Sequence, residues 1–339
     1  MGAGTAQGGA CLLISGKVRN NMEFVVFTGV LLFIFLFMIV QELIQTKNQE
    51  KLFKKYLREN YGKEPPKEYS LERFARLGSY LERHKEEKQL DDITWNDLGM
   101  DEVFRRIART YSAAGEEYLY YTLRNISCGR EALEHLEEVV NWLQEQENIK
   151  VRIQLLMKRL GHLGKYSLYD YLDNLDYLGE RSNRKIVLGN LLYLPFLLLL
   201  FVQPAMGTIG IVLCMLWHIM TYFREKKVIE PYIISFAYVL RLIDVCEELE
   251  KQKIPVYRRE LDELREALKS LRELRRGAYW VMAGNQGKIG GNPLDILADY
   301  LRMILHLDIW QFNLMLRKLR LKTNEVDRLL GITGYLDMA

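Results

Sequence analysis

Three groups of residues have the type and spacing to do chemistry. The Gly-rich run around Gly284, Gly287, Lys288, Gly290 and Gly291 sets a lysine directly after a glycine. Such a loop cradles a nucleotide phosphate when it follows a strand, opens a helix and reads G-x-x-x-x-G-K-[ST]. Here Ile289 follows Lys288 and no β-rich run precedes it. A loop is expected, with Asn292 and Pro293 opening the next helix. Arg272, Arg275 and Arg276 gather at the end of a helical pattern. Cations there complement the helix dipole, and contact with nucleic acid or phosphate is the functional alternative. The paired acids Asp91-Asp92 and Glu116-Glu117 would do acid–base work only if they converged on a pocket. Near helix starts such pairs are expected to be solvated dipole partners.

Cys11, Cys128, Cys214 and Cys246 have no CxxC spacing, and the five histidines are dispersed with no H-x-x-x-H pair. Neither a metal site nor a disulfide framework is expected, and Cys214 and Cys246 read as buried thiols. No catalytic, metal-ligating or cofactor-binding residue is assigned. The 339 residues carry a formal charge of +3. Residues 42–183 hold 23 Lys/Arg against 26 Asp/Glu, and residues 224–339 hold 20 against 17. Neither half is a basic patch, so contact with double-stranded DNA would have to come from local geometry.

The elements that must position these residues are helical and, in part, apolar enough for a membrane. Phe24 to Leu43 is a nearly unbroken apolar run of the length that spans a hydrocarbon core, without an A-x-A cleavage site. It predicts an uncleaved anchor over 22–44, after a Gly/Ala-rich leader over 1–21 that carries no structural signal. Translation could start at Met1 or at Met22. A second apolar block, 186–223, contains Gln203 to Gly207 at its middle and predicts a transmembrane hairpin of two helices of about 18 residues. Lys47, Lys51, Lys54, Lys55 and Arg58 follow the first span. Arg181, Arg184 and Lys185 precede the second, and Arg224, Lys226 and Lys227 follow the third. The positive-inside rule puts these flanks, and segments 45–185 and 224–339, in the cytoplasm of a multi-pass protein of the cell membrane.

Within those segments the periodicity predicts helices over Leu71–Glu87, Glu131–Gly161, Tyr232–Gln252, Tyr257–Gly277 and much of 294–337. Thr94 or Asp97 is a candidate cap for the helix carrying Met100, Val103, Phe104 and Ile107, and Ser112 to Gly115 read as a break before a helix beginning near Glu116 or, on spacing alone, as an ordinary helix cap. Leu261, Leu264, Leu268, Leu271 and Leu274 form a narrow seam suited to helix–helix packing. The fold class is all-α, with three transmembrane helices and a helical cytoplasmic bundle split around the hairpin.

One stretch carries a family resemblance. Trp95, then Thr110, Gly115, Leu119, Leu123 and Arg124, resembles the entry to the helical core of the MutS family of mismatch-repair ATPases. A second stretch, ending in Gly334 and Asp337, resembles the passage from that core toward the ATPase domain. Asn125-Ile126 stands where the family usually has a proline. The resemblance covers about 91–180 and 230–337, and implies the core and lever part of a membrane-tethered MutS-like protein. That protein would be either truncated or split from its ATPase half. The family's P-loop lysine, Mg²⁺-binding Ser/Thr, Walker-B acid and mismatch-reading Phe-x-Glu are not in this sequence, so ATP and Mg²⁺ would enter only with an ATPase domain supplied from elsewhere. The partners implied are membrane lipid, a second copy or a separate ATPase half, and double-stranded DNA at the lever tips. The alternative reading is a non-enzymatic membrane scaffold that binds a protein through its cytoplasmic helices.

Overall fold

The computed structural model describes residues 33, 36–63, 70–75, 77–86, 88–126, 129–163, 168–275 and 293–339; for 71, 72, 275 and 293–298 it describes the backbone alone. The chain divides into two compact units, residues 1–61 and 62–339. In the first, residues 36–59 form helix α1. Phe37, Val40 and Leu43 on it are exposed. Most of the expected anchor over 22–44, Met22 and the leader lie outside the described residues, as do Cys11, Cys128, Arg276 and the Gly-rich loop.

The second unit is helical throughout, with no named strand among the described residues. It begins with two short helices, α2 (Leu71–Phe74) and α3 (Ser79–Arg83), where the apolar spacing predicts one long helix. Gly78, at φ 125, stands between them in a conformation that L side chains rarely adopt. Next come α4 (Asp92–Asp97) and α5 (Met100–Ile107), joined through the left-handed Gly99. Asp91 caps α4, accepting from the Thr94 amide at 2.7 Å, and the cap position of α5 is Gly99 rather than Thr94 or Asp97. Helix α6 (Ala113–Arg124) starts three residues before the expected Glu116, because the Ser112 hydroxyl accepts from the Gly115 amide at 3.1 Å. The Ser-Ala-Ala-Gly run is a cap and first turn, not a break.

The single helix expected over Glu131–Gly161 is two, α7 (Arg130–Glu145) and α8 (Glu147–Leu160). Gln146, at φ −103 and ψ 60, interrupts it with neither glycine nor proline to announce the bend. After α9 (Leu168–Asp173) come α10 (Arg184–Leu191) and α11 (Tyr193–Val202). Leu192 between them keeps helical dihedrals, φ −63 and ψ −20, and the two run on as a 19-residue apolar span.

The largest departure from expectation is α12 (Pro204–Glu250). The expected hairpin ends near Phe223 and a separate helix starts at Tyr232, yet one 47-residue helix carries through both. At 1.5 Å per residue it is about 70 Å long. Arg224, Glu225, Lys226 and Lys227 are good helix formers, so polarity alone does not end a helix. Pro231 lies inside it and removes one backbone donor. Burial of Ile229 and Ile233 on either side offsets that loss. The half from Ile229 to Leu249 is buried on nearly all faces: Phe236, Tyr238, Val239, Leu242, Ile243, Val245 and Cys246 are 1% exposed or less.

Around this mast pack α8, α9 and α13 (Arg258–Leu271), followed in the chain by α14 (Pro293–Leu305), α15 (Leu307–Leu319) and α16 (Thr323–Met338). The predicted seam Leu261, Leu264, Leu268, Leu271 and Leu274 is buried, and α13 lies against both α12 and α16. His306, at φ 54, turns the chain between α14 and α15.

Two helices, Arg184–Val202 and Pro204–Glu250, are long and apolar enough to cross a membrane. None of the apolar window of the first is buried. Leu198, Phe201, Val202, Leu213 and Met220 are all at least 60% exposed, an outward-facing apolar surface that water would penalise. The two helices meet through small residues. A Cβ on Gly207 would lie 2.6 Å from the Leu200 amide nitrogen, and one on Gly210 would lie 2.0 Å from Cδ1 of Phe196. Such contacts are how apolar helices approach closely where no hydrophobic force drives them together. Gly210→Leu is therefore expected to separate α11 from α12 and lower the unfolding temperature in detergent. An equally bulky change at exposed Ile209 (Ile209→Phe) leaves it within about 1 °C, reflecting the near-neutrality of surface substitutions.

Candidate functional site

The two stretches that carry the family resemblance are more than 200 residues apart in sequence and touch in the fold. Helices α6 and α16 make the most extensive helix pair in the molecule. Their contact is close because two glycines face it. A Cβ on Gly334 would sit 2.6 Å from the Ala114 carbonyl oxygen and 2.6 Å from Cβ of Tyr118. A Cβ on Gly115 would sit 2.2 Å from a carboxylate oxygen of Asp337.

Asp337 closes the joint chemically. Its buried carboxylate accepts from the Ser112 amide at 2.8 Å, the Ser112 hydroxyl at 2.6 Å and the Tyr111 amide at 3.0 Å. It thus supplies acceptors to the start of α6, where backbone amides lack intrahelical partners and the dipole favours negative charge. Burial pushes the Asp337 carboxyl up to about 6, against the lowering effect of those donors.

The remaining signature residues build the outer flank of α6. Arg124, largely buried, lies 4.3 Å from the Trp95 ring centroid. It donates to the Tyr120 hydroxyl at 2.7 Å, the Leu90 carbonyl at 3.0 Å and Asp92 at 2.8 Å. Trp95, Phe104, Leu119 and Tyr120 form a small separate core, with Leu123 against its edge. The Thr110 hydroxyl is buried and makes no hydrogen bond among the described residues. These contacts are structural; none presents a reactive atom to solvent.

Asp91 and Asp92 are exposed, as expected of helix-start acids, but Glu116 and Glu117 are not. Both glutamates line a cavity of about 60 Å³ on the inner side of α6, together with Arg73, His162, Tyr169 and Tyr238. Arg73 Nε donates to Glu116 at 2.8 Å, and its guanidinium reaches His162 Nε2 at 2.6 Å. The Glu117 carboxylate accepts from the Gly78 and Tyr80 amides at 3.1 and 3.2 Å. Burial is the main reason its carboxyl is pushed up to about 7, with Glu116 adding to the shift. The cavity holds a few water molecules and is too small for a nucleotide. What the cluster can do is hold protons between α6 and the segments packed on it. The sequence signal for this burial was faint: Arg73 and His162 lie in unremarkable polar stretches and are brought to Glu116 only by the tertiary fold.

The arginine group behaves differently. Arg272 donates to Glu250 at 3.0 Å and lies within 3.8 Å of Glu247, so α12 already neutralises it. The side chain of Arg275 and all of Arg276 lie outside the described residues. No group of three or more metal-ligating side chains occurs among the described residues.

No family model matches this chain, and no curated protein or solved structure does either.

Two outcomes follow from the joint. At an ordinary helical site Gly→Ala stabilises by about 1 kcal/mol. Gly334→Ala is expected to destabilise instead, by about 2 kcal/mol or more, since its methyl would meet backbone; denaturant unfolding in detergent measures the sign. The second outcome concerns pH. An acid whose folded value of about 6 exceeds its ordinary 3.8 keeps in the fold a proton that the unfolded chain has released. Its contribution is greatest below about pH 4 and declines as pH rises to about 6, at about 1.4 kcal/mol per unit. Asp337→Asn should remove that decline between pH 4 and 6, while Asp337→Ala lowers stability throughout by leaving the Ser112 and Tyr111 donors unpaired. Wild-type and Asn-variant curves of identical slope would rule the carboxylate out as the source.

Proposed function

We propose that this chain is the helical core and lever part of a membrane-tethered MutS-like protein, transmitting conformational change between a partner and the membrane rather than catalysing a reaction itself. The observation that carries the reading is the Gly334–Asp337 joint on Ala114 and Ser112. It locks the first and last parts of the soluble helices into one body. The mast α12 then links that body without interruption to an apolar hairpin. A continuous helix of about 70 Å can pass displacement at one end to the other.

In this reading α11 and the first part of α12 form a transmembrane hairpin, and the segment over 22–44 is a third span. The Arg- and Lys-bearing flanks face the cytoplasm. The partner is a separate ATPase half or a second copy bearing one, with ATP and Mg²⁺ held there. The lever tips would contact double-stranded DNA, with Arg272 itself paired with an α12 acid.

A second reading, a non-enzymatic scaffold, is favoured by the neutralisation of Arg272 and by the small size of the cavity at the joint. The two separate in one experiment. The tagged full chain is isolated from its native membrane in mild detergent and assayed for ATP hydrolysis and for duplex DNA binding at low ionic strength. A co-purifying ATPase whose turnover drops at least about tenfold with Gly334→Val in the chain supports the lever reading, tenfold corresponding to about 1.4 kcal/mol. A stable partner complex without ATP hydrolysis, indifferent to nucleotide, overturns it in favour of the scaffold.

A further inference from the structure

A cleft of about 1100 Å³ opens at the foot of the hairpin, between the start of α10 and the face of α15. Its floor is built. Asn183 donates to the Trp310 carbonyl at 3.0 Å, and Asn313 donates to the Asn183 side-chain carbonyl at 2.8 Å, bolting α15 to the entrance of the span. Arg181, Arg184, Arg317 and Arg320 line it, with Glu180 as the single acid.

Two of these arginines are committed. Arg181 pairs with Glu225, and Arg320 donates to the carbonyls of Leu175 and Gly179 at 2.6 and 2.9 Å. The other two are not. Arg184 and Arg317 are exposed and have no acidic partner among the described residues. One turn beyond Arg184, Val187 and Leu188 are 48% and 67% exposed, where the apolar span begins. Trp310, 39% exposed, stands on the same rim. Guanidinium groups, then an indole, then aliphatic side chains is the order of polarity met on crossing from headgroups into acyl chains.

We infer that this cleft is a binding site for the phosphate-bearing headgroup of an anionic phospholipid. Arg184 and Arg317 hold the phosphate, Trp310 sits at the level of the ester carbonyls, and the acyl chain follows Val187 and Leu188 into the bilayer. The guanidinium forks suit phosphate oxygens in pairs. The cleft exceeds a free phosphate in size and opens onto an apolar wall, which selects a lipid over the inorganic ion. The inference rests on the hairpin being in a membrane. A lipid held there would fix the angle between α15 and the span, and so the position of the soluble body over the bilayer.

The test uses the full chain, wild type and the Arg184→Gln/Arg317→Gln double variant. First, both are reconstituted into pure phosphatidylcholine vesicles and extracted with alkaline carbonate. Retention of both tests the membrane reading by itself, and release of the wild type sinks it together with the headgroup assignment. Next, native mass spectrometry in neutral detergent compares retention of phosphatidylglycerol and phosphatidylcholine. The wild type should prefer phosphatidylglycerol by about thirtyfold, the equivalent of about 1 kcal/mol for each of the two surface cations, and the double variant should lose that preference while still entering vesicles. Equal retention of both lipids by the wild type overturns the proposal, as does an undiminished preference in the variant. Full displacement of phosphatidylglycerol by millimolar inorganic phosphate would overturn the lipid assignment in favour of a free-anion site.

Discussion

The close approach of α6 and α16 is the constraint on which the helical body depends. Helix axes come this near only where no side chain intervenes, and Gly115 and Gly334 clear the space from opposite sides. The space is then filled by a carboxylate whose acceptors match the unpaired amides at the start of α6. Steric permission and hydrogen-bond satisfaction thus arrive from the same two helices. Neither is effective alone: the glycines without Asp337 would leave buried amides unpaired, and Asp337 without the glycines would not reach them.

Everything else in the body is arranged about a second fact, the burial of α12 from Ile229 to Leu249 on nearly every face. A helix apolar all round must be surrounded, and α8, α9, α13, α15 and α16 pack on this stretch. Its other half, from Pro204 onward, has α11 packed on it and leaves a broad apolar surface outward. One continuous helix therefore passes from a protein-covered stretch to one with an exposed apolar face. Tyr222 donates to Asp308 at 2.7 Å near that transition, and Lys226 donates to Tyr222 at 3.0 Å, so the change of environment is marked by paired polar groups.

The buried acids among the described residues are each held by partners from elsewhere in the fold. Glu116 is neutralised by Arg73, Glu117 by backbone amides, and Asp337 by a helix start. The cavity of about 60 Å³ lies beside Glu116 and Glu117. The raised carboxyl values of Glu117 and Asp337 follow from burial and couple the stability of the fold to protonation.

The all-α class, the apolar hairpin and the leucine seam of α13 were legible in the chain, because helix-period burial and long apolar runs are local properties. Legible too, as residues without a placement, were Gly115, Gly334 and Asp337. The break at Gln146 and the persistence of α12 through Pro231 were not, since one lacks any breaker and the other contains one. At Pro231, burial of the flanking Ile229 and Ile233 outweighed local propensity, worth about 3 kcal/mol for proline. The burial of Glu116 and Glu117 was decided by the tertiary structure alone: their partners Arg73, Gly78 and Tyr80 come from another segment, and no local spacing could show that their charge would be satisfied away from water.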